Sequence, residues 1–286
     1  MIEGEQSHAA ESNRSCDPPT GRSGAILRCR SASAWLGGPP APSSGAATGD
    51  ERAPKAIIVP HAAYLYSGQV AATAFAALAP SVKTIERIVL IGPAHYVPFD
   101  GLAAPTVEAF ETPLGPVPLD RDALAAVAQL PPVKPADAPH SPEHALEVEL
   151  PFLQVLLGRV AAVPLLVGDA SPEDVAAALN QLWGGPETVV VVSSDLSHFH
   201  DDETARRRDA VTAHMIEHGA WAQLAAGDAC GYLAIAGLLI ETTRRGLKAT
   251  RLSLCNSGDT AGPRDRVVGY GAWMFAENGG TRSQQH

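Results

Sequence analysis

The sequence predicts an α/β protein, with a single three-layer α/β/α domain around a mainly parallel central sheet. From residue 55 onward, short aliphatic and β-branched runs alternate with helical patterns, which is the order expected of strand-helix-strand units. The strand patterns are apolar at every position rather than at alternate positions, which indicates strands buried on both faces. Hydrophobic residues make up 45% and charged residues 18% of the 286 residues, so the chain can bury a core.

Each element of this domain has its own local signal. The apolar period predicts a helix over 68–78, Asp120 is a typical N-cap for a helix that follows a hairpin over 112–119, and Ser171 with Pro172 begins another helix. Further helices are expected over 142–157, about 202–226 and 230–245, and strands over 56–59, 87–91, 163–167, 188–192, 249–254 and 267–275.

The two ends of the chain differ from this domain. Residues 1–54 are rich in Gly, Pro, Ser and Ala and lack an apolar period, so a disordered extension is predicted there. Such a composition is also typical of an over-long reading frame, so Met1 need not be the native start. Residues 55–276 are expected to form the domain, and residues 277–286 a flexible tail.

Charge and cysteine content exclude several classes of function. The chain has 21 Lys and Arg against 31 Asp and Glu, a net charge of −10 and a pI near 5.4, which argues against nucleic acid as a partner. The apolar runs are too short for a membrane span, and no signal peptide is visible. Four dispersed cysteines form neither a disulfide framework nor a zinc cluster. A cytoplasmic protein is therefore expected.

Three predicted strands end in histidine. His61 and His95 follow the first two strands, and His198 follows the strongest strand pattern in the chain, after Asp195. The carboxyl ends of strands in an open α/β sheet form the usual ligand site, so these distant residues should meet. Imidazole at such a place can bind a divalent metal or move protons near neutral pH. No dinucleotide-binding or P-loop glycine motif is present.

Cys230 is a fourth candidate. It opens a predicted helix after the loop Gly227-Asp228-Ala229. A helix N-terminus favours the thiolate, so we expect Cys230 to be a metal ligand or a nucleophile.

The same residues lie in blocks that resemble the Memo family. Five blocks occur in the family's order: HAAYLYSG (61–68), GPAH (92–95), EHALEVELPFLQ (143–154), SSDLSH (193–198) and ACG (229–231). The later segments NSGD (256–259) and VVGY (267–270) also resemble that family. The resemblance covers about residues 55–276, the whole globular part.

The resemblance implies a fold like that of the class III extradiol dioxygenases, which hold Fe(II) with two His and one Glu. By position, His61 and His95 correspond to the imidazole ligands, Cys230 occupies the place of the carboxylate, and His198 that of the acid/base. One mononuclear metal ion is implied, iron or copper, for redox chemistry on an unknown small molecule. A thiolate shifts the preference toward copper(I), and His₂Cys also suits zinc. The departure at the carboxylate makes ring cleavage doubtful.

Bacterial members of the family resemble AmmeMemoRadiSam system protein B. This implies a radical-SAM protein and a partner-domain protein as partners.

The remaining candidates leave alternatives open. Asp195 either orients an imidazole or binds the metal, and His198 is either a proton carrier or a third imidazole ligand. His144 is expected on a helix, pointing into the pocket, and Tyr64 and Tyr66 are expected to shape it. Two other functions compete with a metal enzyme. One is metal-free catalysis in which His198 deprotonates Cys230, and the other is a non-catalytic module that binds a peptide or partner in the same pocket.

Overall fold

The computed structural model describes residues 26–28 and 53–277. Its strands are β1 (Ile26–Arg28), β2 (Ala56–Val59), β3 (Arg87–Pro93), β4 (Leu102–Ala104), β5 (Ala109–Thr112), β6 (Gly115–Pro118), β7 (Val133–Pro135), β8 (Ala161–Val167), β9 (Thr188–Ser193), β10 (His198–His200), β11 (Leu247–Asn256) and β12 (Val267–Glu277). Its α-helices are α1 (Tyr64–Ala76), α2 (Arg121–Val127), α3 (Leu150–Leu157), α4 (Pro172–Leu182), α5 (Asp202–Glu217) and α6 (Tyr232–Arg244).

A nine-stranded mixed sheet forms the centre of the described domain. Its order is β10-β12-β2-β9-β3-β8-β4-β7, with β11 also paired to β12. The neighbours β2, β9, β3 and β8 are parallel, whereas β12 pairs with β2 in the antiparallel sense. Helices α2, α4 and α6 pack together in one layer, and α1 packs with α3 in another. The predicted three-layer α/β class is confirmed.

The central strands carry the core because their side chains are apolar on both faces. Every residue of β2 and β9 is buried, in agreement with the continuous apolar patterns. The predicted helix starts are also confirmed. The carboxylate of Asp120 accepts a hydrogen bond from the backbone N–H of Ala123, and Ser171 with Asp174 forms a capping box.

Three helix predictions need correction. The helix expected over 142–157 begins only at Leu150, after a 3-10 turn over Glu147–Glu149, so residues 142–146 are irregular. The helix expected over 202–226 ends at Glu217, because Gly219 has a φ of 66° and turns the chain into a separate 3-10 turn. The last helix begins at Tyr232, so Cys230 precedes it.

A smaller sheet has the order β1-β5-β6, and its β5-β6 hairpin confirms the hairpin pattern near residues 112–119. β1 lies within the predicted disordered extension and pairs in parallel with β5. The rest of residues 1–52, and the predicted tail beyond Glu277, lie outside the described residues. Those two predictions therefore stay predictions.

No helix among residues 53–277 is long and apolar enough to cross a membrane.

Candidate metal centre

The ends of three adjacent parallel strands create the site. β2, β9 and β3 lie side by side in the sheet, so the loops that follow them leave from the same edge. His61 follows β2, His95 follows β3, and Asp195 follows β9. The sheet thus brings together His61, His95 and Asp195, which are far apart in the chain. His198, the third predicted histidine, lies instead in the short edge strand β10.

His61, His95 and Cys230 converge on one point. One ligand atom from each residue lies within 4.8 Å of the other two. The Sγ atom of Cys230 is 3.3 Å from Nε2 of His61, and the imidazole centroids of His61 and His95 are 5.2 Å apart. Two nitrogens and one sulfur at this spacing form a donor set that fits a single transition-metal ion.

Hydrogen bonds at the Nδ1 atoms of His61 and His95 leave the Nε2 atoms available to bind a metal. Nδ1 of His61 is 2.8 Å from Oγ of Ser193, and Nδ1 of His95 is 2.9 Å from Oε1 of Glu143. A protonated Nδ1 that donates to such a partner leaves the lone pair on Nε2, the form in which imidazole binds metals. Burial, and then the nearby His95 and His144, lower the pKa of His61 well below its usual value, so His61 is neutral.

Glu143 is a residue of the candidate site that the sequence does not single out. Its Oε1 accepts hydrogen bonds from the backbone N–H groups of His144 and Ala145 and from His95 Nδ1, and its Oε2 accepts from the backbone N–H of His95. Burial is the largest single effect and opposes its charge, but the hydrogen bonds from His95 and Ala145 together outweigh it and lower the pKa of Glu143 to about 2. A buried carboxylate therefore supports His95. Its sequence signal was a Glu that directly follows Pro142, where the chain begins a turn.

Cys230 does not have the activated thiol that the sequence predicted. It lies two residues before α6, where its backbone N–H donates to the carbonyl of Asp195. Burial, reinforced by the charge of Asp195, raises the pKa of the thiol to about 12. The expected helix effect is outweighed because it falls off within the first turn, whereas desolvation acts on the thiolate directly.

Asp195 and His198 have separate partners. Oδ1 of Asp195 accepts a hydrogen bond from the backbone N–H of His61, and its Oδ2 lies 4.0 Å from Nε2 of the same residue. Asp195 thus holds the His61 loop. Nδ1 of His198 donates to the carbonyl of Leu196 at 2.8 Å, which leaves Nε2 of His198 able to accept a proton. Phe199, the next residue, has a φ of 63°, a conformation rare outside glycine.

His144 lies beside the three candidate ligands. Its ring stacks on His95 at 5.2 Å and meets His61 edge to face at 5.6 Å. Its Nδ1 is 3.3 Å from the hydroxyl of Tyr96, an exposed residue that carries no distinguishing sequence signal. A second group with metal-ligand spacing consists of His95, Glu143 and His144. In this group the carboxylate of Glu143 already accepts hydrogen bonds from backbone N–H groups.

The two tyrosines differ in position. Tyr64 is buried, donates from its hydroxyl to the carbonyl of Val148 and packs against Phe152, which makes it part of the core. Tyr66 is partly buried and packs against the same core.

Comparison with known proteins identifies the family. The sequence profile described as Memo-like protein matches residues 40–274. The chain belongs to the Memo family. A MEMO1 family protein of Thermotoga petrophila is 35% identical over 238 residues, which cover 77% of this chain and 82% of that protein. A MEMO1 family protein of Saccharolobus solfataricus is 34% identical over 233 residues, with 77% and 82% covered. A third, of Aquifex aeolicus, is 32% identical over 237 residues, with 78% and 86% covered.

The Memo family has the fold of the class III extradiol dioxygenases, and the architecture seen here agrees with it. The candidate ligand residues all lie within the Memo match.

Proposed function

We propose that this Memo protein binds one mononuclear metal ion, iron or copper, through His61, His95 and Cys230, and acts in redox or oxygen chemistry on a small molecule. The observation that carries the proposal is the convergence of two imidazole nitrogens and one thiol sulfur within 4.8 Å. When bound, the metal would supply a redox centre and a Lewis acid.

The chain's own residues prepare this site in three ways. Glu143 and Ser193 hold the two imidazoles by their Nδ1 atoms, so that Nε2 of each is available. Asp195 fixes the loop that carries His61. His198, with its proton held on Nδ1 by Leu196, can take up a proton at Nε2, and we assign it the role of acid/base.

Metal-free nucleophilic catalysis is less well supported. That reaction needs a thiolate, and the pKa of Cys230 is raised to about 12. The imidazole 3.3 Å from the thiol is that of His61, and its lowered pKa makes it a weak base for this step.

We further propose that this protein is cytoplasmic and that its partners are a radical-SAM protein and a partner-domain protein. The support is the resemblance to AmmeMemoRadiSam system protein B, and co-purification of tagged protein from its own host tests it.

The decisive experiment compares metal stoichiometry in His61→Ala, His95→Ala and His198→Ala after anaerobic purification with supplied Fe(II) or Cu(I). The first two variants should lose the metal, whereas His198→Ala should keep near-full occupancy but lose turnover. Circular dichroism establishes that each variant is folded. Full occupancy in His61→Ala would refute the assignment, and equal loss in all three would make His198 a ligand.

A further inference from the structure

Glu149 is a buried carboxyl group that the proposed chemistry does not use. Its residue exposure is 0%, and it immediately precedes α3. Its Oε1 lies 3.1 Å from the hydroxyl of Ser193, whereas its Oε2 has no hydrogen-bond partner among the described residues. A carboxylate in such a place would be a buried charge with half of its acceptor capacity unmet, which costs several kcal/mol.

The hydrogen bonds of Ser193 decide which groups carry protons. Its Oγ has three neighbours: the carbonyl of Ala145 at 2.6 Å, Nδ1 of His61 at 2.8 Å and Oε1 of Glu149 at 3.1 Å. A hydroxyl has one proton and two lone pairs, and a carbonyl can only accept. The proton of Ser193 therefore goes to Ala145, its closest neighbour, and both remaining neighbours must donate.

The electrostatic surroundings agree with this count. Burial raises the pKa of Glu149 well above its ordinary value, and the charge of Asp195 acts in the same direction. Asp195, on the loop after β9, is the charged group that faces Glu149, and His61 is reached through Ser193.

We propose that Glu149 is a neutral carboxylic acid that donates a hydrogen bond to the hydroxyl of Ser193. In the same hydrogen-bond network, His61 also donates to this hydroxyl, so its proton is on Nδ1 and its lone pair on Nε2. Glu149 is thus a positioning residue. Its importance for metal binding rests on the proposed function, but its protonation does not.

This arrangement makes the two imidazoles unequal. His95 is backed directly by the carboxylate of Glu143, whereas His61 is backed by a neutral hydroxyl and a neutral acid. A carboxylate partner raises the basicity of a ligating imidazole, so His95 is the more strongly donating of the two. A neutral Glu149 also keeps a further negative charge away from a site that already holds Glu143 and Asp195.

Infrared spectroscopy of the metal-free full-length protein tests the proposal directly. At pH 6 the wild type should show the C=O stretching band of a protonated carboxylic acid, which Glu149→Gln abolishes. The matched control is Glu143→Gln, which should leave this band in place because Glu143 is ionised. If Glu149→Gln does not fold, labelling the glutamates of the wild type with ¹³C should shift the same band without any substitution. No such band in the wild type, or its persistence in Glu149→Gln, would overturn the proposal.

The melting temperature as a function of pH gives a second readout. A raised pKa in the folded state makes Glu149 stabilising below its unfolded pKa, and this stability is lost as the pH rises toward its folded pKa. Glutamine keeps a donor for Ser193 but does not ionise. Relative to the wild type, Glu149→Gln should therefore gain roughly 3 °C per pH unit from pH 5 upward until the folded pKa is passed. A difference in melting temperature between Glu149→Gln and the wild type that does not change with pH would contradict a neutral Glu149.

The His61 tautomer completes the test. In the metal-free protein, ¹⁵N NMR should show a protonated Nδ1 and an unprotonated Nε2 for His61, with His61→Ala as the assignment control. A proton on Nε2 would overturn the proposal. All three readouts use metal-free protein, so a failure to bind iron or copper would refute the proposed function and leave this inference intact.

Discussion

Cys230 is protonated in the metal-free protein and must lose its proton to bind a metal. Its thiol pKa is about 12, whereas His61 is already neutral near pH 7 because its pKa is lowered. Below pH 12, binding through the thiolate therefore releases a proton from Cys230. We expect the affinity for Zn(II), used as a redox-inert probe, to rise about tenfold per pH unit between pH 7 and pH 9.

Calorimetry in buffers of different ionisation enthalpy measures the protons released. Cys230→Ser should release about one proton fewer than the wild type at each pH. An affinity for Zn(II) that does not depend on pH would show that the thiol is not a ligand.

The sulfur is also expected to set the choice of metal. Cys230→Ser should weaken Cu(I) binding far more than Fe(II) binding, because the soft ion depends on the thiolate. Cys230→Glu creates a set of two imidazoles and one carboxylate, and should favour Fe(II). Competitive titration with chelators of known affinity measures the affinities for Cu(I) and Fe(II). Equal losses of affinity for the two metals in Cys230→Ser would argue against Cys230 as a ligand.

Among individual residues, the sequence reveals the candidate metal ligands better than the residues that hydrogen-bond to them. His61, His95 and Cys230 stand out because each lies at a strand end or before a helix. Ser193 and Glu149 carry no such signal, since a Ser at the end of a strand and a Glu in an apolar segment are common. Their roles depend on distances that only the packed structure provides.

The segment over 142–149 is one of the elements that the sequence predicts wrongly. Its residues favour a helix individually, and Glu143 and Glu147 are spaced as on one helix face. In the structure Glu143 bonds the backbone N–H groups of its two successors and the distant His95, so the segment opens into a turn. The tertiary contact with His95 thus outweighs local propensity.

The loop before α6 positions Cys230 by close contact with the end of β9. The N–H of Gly231 donates to Oγ of Ser194, and a Cβ atom at Gly231 would lie 2.8 Å from Cβ of Ser194 and 2.9 Å from the carbonyl of Ser193. Gly231→Ala must therefore push the loop away from the sheet. We expect it to destabilise the fold by about 1–3 kcal/mol and to lower metal occupancy.

Gly227→Ala is the matched control for this prediction. It lies in the same loop, but its added methyl would meet the far end of the Arg208 side chain, which can move. Thermal denaturation and metal analysis should leave Gly227→Ala close to the wild type. Wild-type occupancy in Gly231→Ala would show that the loop does not need this contact to place Cys230.

For the whole molecule, the order of the sheet determines what the sequence can predict. The central strands are long enough to show continuous apolar runs, so the fold class and the meeting of His61 with His95 follow from pattern and topology rules. β4, β7 and β10 have three residues each and lie toward the edges of the sheet. Strands this short form because a neighbour is present, and so they escape prediction.

The amino-terminal segment is expected to be dispensable for the metal site. The part of it that the structure describes, β1, pairs with β5 in the small sheet, which does not contain the strands that lead to the candidate ligands. Deleting residues 1–52 should leave metal stoichiometry unchanged and shift the melting temperature by no more than about 2 °C. Loss of metal, or a larger drop in melting temperature, would show that the segment supports the domain.

The distance along the chain between the ligands has a consequence for how the protein folds. His61 and Cys230, whose side chains are 3.3 Å apart, are separated by 169 residues. Contacts of such long range form late, after the parallel strands between them have paired. A metal ion bound by these residues would therefore find its complete donor set only in a nearly native chain. It should slow unfolding while leaving the folding rate unchanged, so that its stabilising effect is a longer lifetime of the native state.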